Sequence, residues 1–96
     1  MTIWVTLEMT VQEDAFEALS AFLDENLPNV RGFAGALSVT LYYDPDTRAF
    51  LIHEEWLSRE HHQAYLAFIE ERGVMAALLW FMAGPPKVTY YDRMVM

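Results

Sequence analysis

The chain has no cysteine, which removes disulfides, thiolate metal sites and a cysteine nucleophile at once. Basic residues are scarce: six Lys and Arg stand against fourteen Asp and Glu, for a net charge of −8. Arg31, Arg48, Arg59, Arg72, Lys87 and Arg93 are scattered along the chain rather than clustered. Phosphate backbones are bound chiefly through Lys and Arg, so the composition argues against nucleic acid as a partner. No basic amphipathic stretch suits an anionic membrane surface. The longest apolar run, Val74 to Ala83, is about half a membrane span. The opening Met1-Thr2-Ile3-Trp4-Val5 lacks the positive region of a signal peptide. A soluble, cytoplasmic protein is expected, and the missing cysteines fit a reducing compartment.

What the chain does have is apolar bulk. It is 54% hydrophobic and carries three Trp, five Tyr and six Phe in 96 residues. That length makes one domain, residues 1–96, with no room for a second core. So small a globule cannot hide this much apolar surface alone, and monomers seldom expose large apolar patches. A homodimer is expected.

Ile3, Val5, Leu7 and Met9 alternate with Trp4, Thr6, Glu8 and Thr10, which predicts a strand with one face better buried. Gln12-Glu13-Asp14 places acids where a helix opens, and Phe16, Leu19, Leu23 and Leu27 keep helical spacing until Pro28, the expected stop. Gly35 to Tyr43 and Phe50 to Ser58 read as two strands joined by Asp44-Pro45-Asp46-Thr47-Arg48. Ser58 is a good N-cap for a second helix, which Gly73 ends. Val74 to Ala83 forms a third, stopped by Gly84-Pro85-Pro86, and Lys87 to Val95 is a last strand. The order βαββααβ predicts an α+β ferredoxin-like domain with an antiparallel sheet and helices on one face. The bare face would take the surplus apolar residues into a dimer.

Within the second of the paired strands, Ile52, Glu54 and Trp56 share a face. An acid aimed at an apolar face is costly unless it is paired. Either Arg72, Arg93 or Lys87 pairs with Glu54, or it is a pocket acid with a raised pKa that can take a proton from a phenol or enol. Trp56 either fills the space between sheet and second helix or walls a pocket with its indole face. His61 shares a helix face with Tyr65 and Phe68 and is either a surface histidine or a second candidate base. His53, His61 and His62 have no spacing that suits a metal site, so no metal is expected.

The ordered set Gly35, Tyr42-Tyr43-Asp44-Pro45, Glu54-Glu55-Trp56 and a helix beginning near Ser58 resembles the antibiotic biosynthesis monooxygenase domain family. The resemblance spans nearly the whole chain and implies a dimeric α+β barrel. That family includes cofactor-independent oxygenases of phenolic aromatics, haem-degrading enzymes and isomerases of small molecules. The haem-degrading members use a first-strand Asn and a second-helix His. Here the only asparagines are Asn26 and Asn29, and Tyr65 is the best equivalent of that His, with His61 and His62 one turn earlier. Haem is therefore not expected, nor any other cofactor. The resemblance implies a cofactor-independent oxygenase turning a small aromatic or polycyclic phenol into a quinone. Glu54 or His61 would be the base, and Trp56, Tyr65, Phe68 and Tyr43 would hold the ring. The alternatives are an isomerase of a small carbonyl compound and a non-catalytic dimeric module for a hydrophobic ligand.

Overall fold

The computed structural model describes all 96 residues. The chain runs β1 (Ile3–Thr10), α1 (Phe16–Arg31), β2 (Ala36–Asp44), β3 (Ala49–Trp56), α2 (Arg59–Glu71), α3 (Val74–Trp80) and β4 (Lys87–Asp92). The four strands form one sheet in the order β2-β3-β1-β4, with every neighbouring pair antiparallel. This is the α+β ferredoxin-like arrangement that the alternation of elements predicts.

Strand alternation decides which side chains face the helices. Val5, Leu7 and Met9 of β1 lie with Phe50, Ile52, Glu54 and Trp56 of β3 on the buried side. Register places Val5 beside Glu54 on one flank and Tyr90 on the other, with Val39 across β3. The opposite face carries no helix. There Trp4 and His53 lie ring to ring with centroids 5.0 Å apart, and the Thr6 hydroxyl is buried without a hydrogen-bond partner.

Two boundaries differ from the sequence expectation. Gln12-Glu13-Asp14 does not open α1. Gln12 instead donates through Nε2 to the carbonyls of Trp80 and Met82, and Val11 bridges to Met82. Asp14, at φ 63, turns the chain before the helix begins. Nor does Pro28 stop α1, which runs on to Arg31. Proline removes one donor, but its carbonyl still accepts from the Gly32 N–H at 3.0 Å, so the last turn closes.

The third helix ends at Trp80 and the last strand at Asp92, both short of their expected limits. The β2–β3 turn behaves as Asp and Pro suggest. The Asp44 carboxylate accepts from the Asp46 N–H at 2.9 Å, and Arg48 takes φ 62. Ser58 caps α2 by accepting the His61 N–H. Just before β2, Gly35 has φ 92, and a Cβ there would meet the His61 ring at 2.5 Å. Only glycine permits this approach of chain to helix.

Candidate functional site

Glu54 reaches the buried side because β3 alternates, and four residues from three elements surround it. Its Oε1 accepts from the Trp56 indole Nε1 at 2.8 Å, and the His62 Nε2 lies 3.5 Å from the same oxygen. That distance is beyond a sound N–H···O bond, and Nε2 is buried with no hydrogen-bond partner. The other ring nitrogen, Nδ1, is 2.7 Å from the Tyr90 hydroxyl on β4. Tyr65 packs its ring 5.4 Å from that of Trp56. No Arg or Lys lies beside Glu54, so the expected partners Arg72, Arg93 and Lys87 are replaced by an indole and an imidazole. Arg72 instead stacks on Phe68 at 4.3 Å.

The electrostatics follow from burial without a cation. Glu54 is 4% exposed. Desolvation pushes its carboxyl above the ordinary value, and the Trp56 hydrogen bond opposes this in part. His62, fully buried, is held down to about 4 by the same desolvation, so near neutrality it is an uncharged imidazole. Tyr65 is pushed up to about 12 by burial first and the Glu54 charge second. It remains a hydroxyl donor.

Glu54 and Tyr65 border a cavity of about 50 Å³ between the helices and the sheet. Phe22, Leu27, Val39, Ile52 and Leu78 supply apolar walls, Asn26 and Tyr65 contribute polar tips, and Glu54 is the one acid. Next to it lies a second recess of about 220 Å³, lined by Asn29, Phe33, Phe68 and Arg72 and sharing Tyr65, Ile69, Val74 and Asn26 with the first. The shared residues form a partition of side chains.

The structure brings Glu54, Trp56 and Tyr65 together and separates the other expected site residues from them. His61 is exposed, its Nδ1 2.7 Å from the Ser58 hydroxyl, so it belongs to the helix cap and His62 takes the place beside the acid. Trp56 is fully buried behind Glu54, edge-on to Phe33 and His62, and does not line the cavity. Phe68 lines the outer recess. Tyr43 stacks on Phe16 at 4.0 Å and lines a different depression, bordered by Ser20, Asp24 and Phe50.

His62 and Tyr90 were not among the site residues expected from sequence. The signal for His62 was its spacing to Tyr65, Leu66 and Ile69, a second helical stripe beside the one through His61, Tyr65 and Phe68. Tyr90 follows from the register Val5↔Tyr90, which sequence does not show.

The residues here do not fit haem. The cavity of about 50 Å³ that Tyr65 lines has no room for a haem, and His61 lies outside it. Hemin added to the protein is expected to give no sharp, saturable Soret band. A band at one haem per chain, bleached by reductant, would reverse this assignment.

The family model for antibiotic biosynthesis monooxygenase matches residues 2–67. Among curated protein sequences none matches the chain. Among solved structures, Rv0793 from Mycobacterium tuberculosis superposes with a TM-score of 0.83 at 22% identity, covering 100% of this chain and 98% of its own. A monooxygenase from the gene ActVA-Orf6 of Streptomyces coelicolor, solved in complex with Nanaomycin D, does so at 0.79 and 19% identity, covering 98% and 89%. SnoaB from Streptomyces nogalater, a cofactor-independent oxygenase, gives 0.80 at 12% identity, covering 99% and 95%. At these identities the likeness is one of fold.

Proposed function

This chain belongs to the antibiotic biosynthesis monooxygenase family, and we propose on that premise that it is a cofactor-independent oxygenase of a small aromatic phenol. The observation that carries the reading is Glu54: a buried carboxyl with no cationic partner, on the wall of an apolar cavity. Such a group accepts a proton readily and holds it in a dry site. The Glu54 Oε1 is engaged by Trp56, whereas no hydrogen bond from the protein reaches Oε2. Oε2 takes the phenol proton, and the Tyr65 hydroxyl donates to a ligand oxygen.

The electron-rich phenolate then reacts with dioxygen at a ring carbon bearing hydrogen. Glu54 returns its proton to the peroxide as the oxygen–oxygen bond breaks. The hydrogen on that ring carbon leaves as a proton as the carbon–oxygen double bond forms. One oxygen atom thus stays as the new quinone carbonyl. The other leaves as water carrying the phenol proton and the ring proton, with all four electrons coming from the ring. A cofactor-independent oxygenase of the same fold, and another relative that holds Nanaomycin D, support this choice.

The cavity is smaller than the roughly 150 Å³ that holds a benzene. A ring therefore enters by displacing the partition of Tyr65, Ile69 and Val74 toward the outer recess. The same small volume favours a second reading, the isomerisation of a small carbonyl compound by Glu54 without oxygen. An oxygen electrode with naphthols, dihydroxynaphthalenes and anthrone separates the two. Oxygen consumed one-for-one with quinone formed, and abolished in Glu54→Gln, is the expected result. Proton exchange or isomerisation of a carbonyl compound with no oxygen uptake would establish the second reading.

The helix-free sheet face is assigned to a second copy of the chain in a reducing, cytoplasmic setting. The buried, unpartnered Thr6 hydroxyl and the half-exposed Tyr42 and Tyr91 support this. Light scattering on a sizing column is expected to give twice the 11.1 kDa chain mass. A clean monomer would remove the dimeric barrel.

A further inference from the structure

Behind the cavity, on the side away from a bound ligand, the structure holds a line of exchangeable groups with one loose step, between Glu54 and His62. The Glu54 Oε1 faces the His62 Nε2 at 3.5 Å, and the His62 Nδ1 meets the Tyr90 hydroxyl at 2.7 Å. Tyr90 is only partly buried on β4, an edge of the sheet, with the Arg59 guanidinium 4.4 Å above its ring. His62 is fully enclosed, and its Nε2 has no other partner than this acid. A buried imidazole with one nitrogen satisfied and the other aimed at a carboxyl is costly as mere packing.

We propose that Glu54, His62 and Tyr90 form a proton relay that empties the buried carboxyl to solvent at the sheet edge. The relay rests on the reading of Glu54 as the base and adds how that base is made ready. Burial tends to keep a proton on Glu54, and a base must be free of it. A ligand seated over Oε2 closes the cavity side, so the proton leaves through the wall.

The relay has two states. With Glu54 protonated, its O–H donates to Nε2, the imidazole proton sits on Nδ1 and donates to the Tyr90 oxygen, and the Tyr90 O–H faces water. Three protons then shift in the same direction. Glu54 gives its proton to Nε2, Nδ1 gives its proton to the Tyr90 oxygen, and Tyr90 gives its own to water. One proton has left. Glu54 is a carboxylate, His62 is still neutral but carries its proton on Nε2, and the Tyr90 hydroxyl donates to Nδ1. Adding a proton from water reverses every step. His62 thus changes tautomer, never charge, each time Glu54 changes ionisation.

The other groups facing this line do not compete for the proton. From α2 they are Tyr65, held as a phenol, the Gln63 amide, which hydrogen-bonds Tyr90, and the Arg59 guanidinium over the Tyr90 ring. From β1 and β2 they are Val5 and Val39, and from α1 and α3 the cavity side presents Asn26 and apolar residues.

Nitrogen NMR of the His62 imidazole in the free protein tests the relay. From about pH 5 to about pH 9 the ring is expected to stay neutral. The proton should move from Nδ1 to Nε2 with a single midpoint above the ordinary carboxylate range. Glu54→Gln should abolish the switch. Trp56→Phe removes the N–H that favours the carboxylate and should move the midpoint to higher pH. One tautomer throughout, an imidazolium appearing at the midpoint, or a midpoint unmoved in Trp56→Phe would each overturn the relay. Titration of the protein with 1-naphthol, followed by tryptophan fluorescence, reports separately on the cavity. A tautomer switch without naphthol binding retires the phenol reading and keeps the relay; naphthol binding without the switch does the reverse.

Discussion

Glu54→Gln is expected to melt higher than the parent protein at about pH 8 while losing turnover by roughly 10²–10⁴-fold. The stability gain comes from removing a buried charge that no Arg or Lys compensates. The amide keeps an oxygen for the Trp56 indole at the Oε1 position and carries no charge to desolvate. Each kcal/mol gained is worth about 4–8 °C in Tm for a domain of this size.

The sign of the pH dependence follows from the direction of the shift. The Glu54 carboxyl is raised in the fold, so its contribution lowers stability progressively as pH climbs from the ordinary value of 4.5 through the raised one. The Gln advantage is therefore full at alkaline pH and vanishes in acid. His62 acts oppositely. Its contribution is full above 6.5 and is lost as pH falls toward about 4, a loss on the order of 3 kcal/mol. In the parent the two partly offset each other, so Glu54→Gln should lose stability more steeply on acidification. Thermal melts across pH check both statements. A variant that melts lower than the parent at alkaline pH would show that Glu54 belongs to a structural ion pair.

Trp56→Ala is expected to cost roughly 3–5 kcal/mol, a large share of the 5–15 kcal/mol typical of a whole domain. The indole is fully buried and touches Phe33, Tyr65 and His62 from the loop before β2 and from α2. Its removal leaves a hole between sheet and helix and also takes away the donor that holds Glu54 Oε1. Trp56→Phe retains most of the packing and should fold. Circular dichroism and melting decide the matter. A Trp56→Ala protein that stays fully folded and loses only ligand affinity would place the ring on the cavity wall instead.

The two histidines of α2 show where sequence reading ran out. Ser58 marks where the helix begins, and the apolar pattern marks its length. The stripe through His61, Tyr65 and Phe68 and the stripe through His62, Tyr65 and Ile69 differ by one residue, which on a helix is a rotation of about 100°. Which one faces the sheet depends on how α2 seats against β3 and β4. The close approach of Gly35 to the His61 ring and the part-buried hydrogen bond between His62 and Tyr90 settle that rotation. Neither contact is local in sequence. Gln12 is similar: its acidic neighbours suggested a helix start, and two carbonyls at and just after the end of α3 claimed it instead.

The sequence by itself determined the order of elements, the alternation of the strands and the face that Glu54 shares with Trp56. These follow from period-two alternation and turn chemistry, which act between residues a few positions apart. The tertiary structure alone decided that Glu54 has no cation, that His62 rather than His61 stands beside it, and that Trp56 lies behind the acid rather than on the cavity wall. Those outcomes depend on the azimuth of a helix and on strand register across β1. Both are set by packing among residues distant in the chain, where local pattern carries no information.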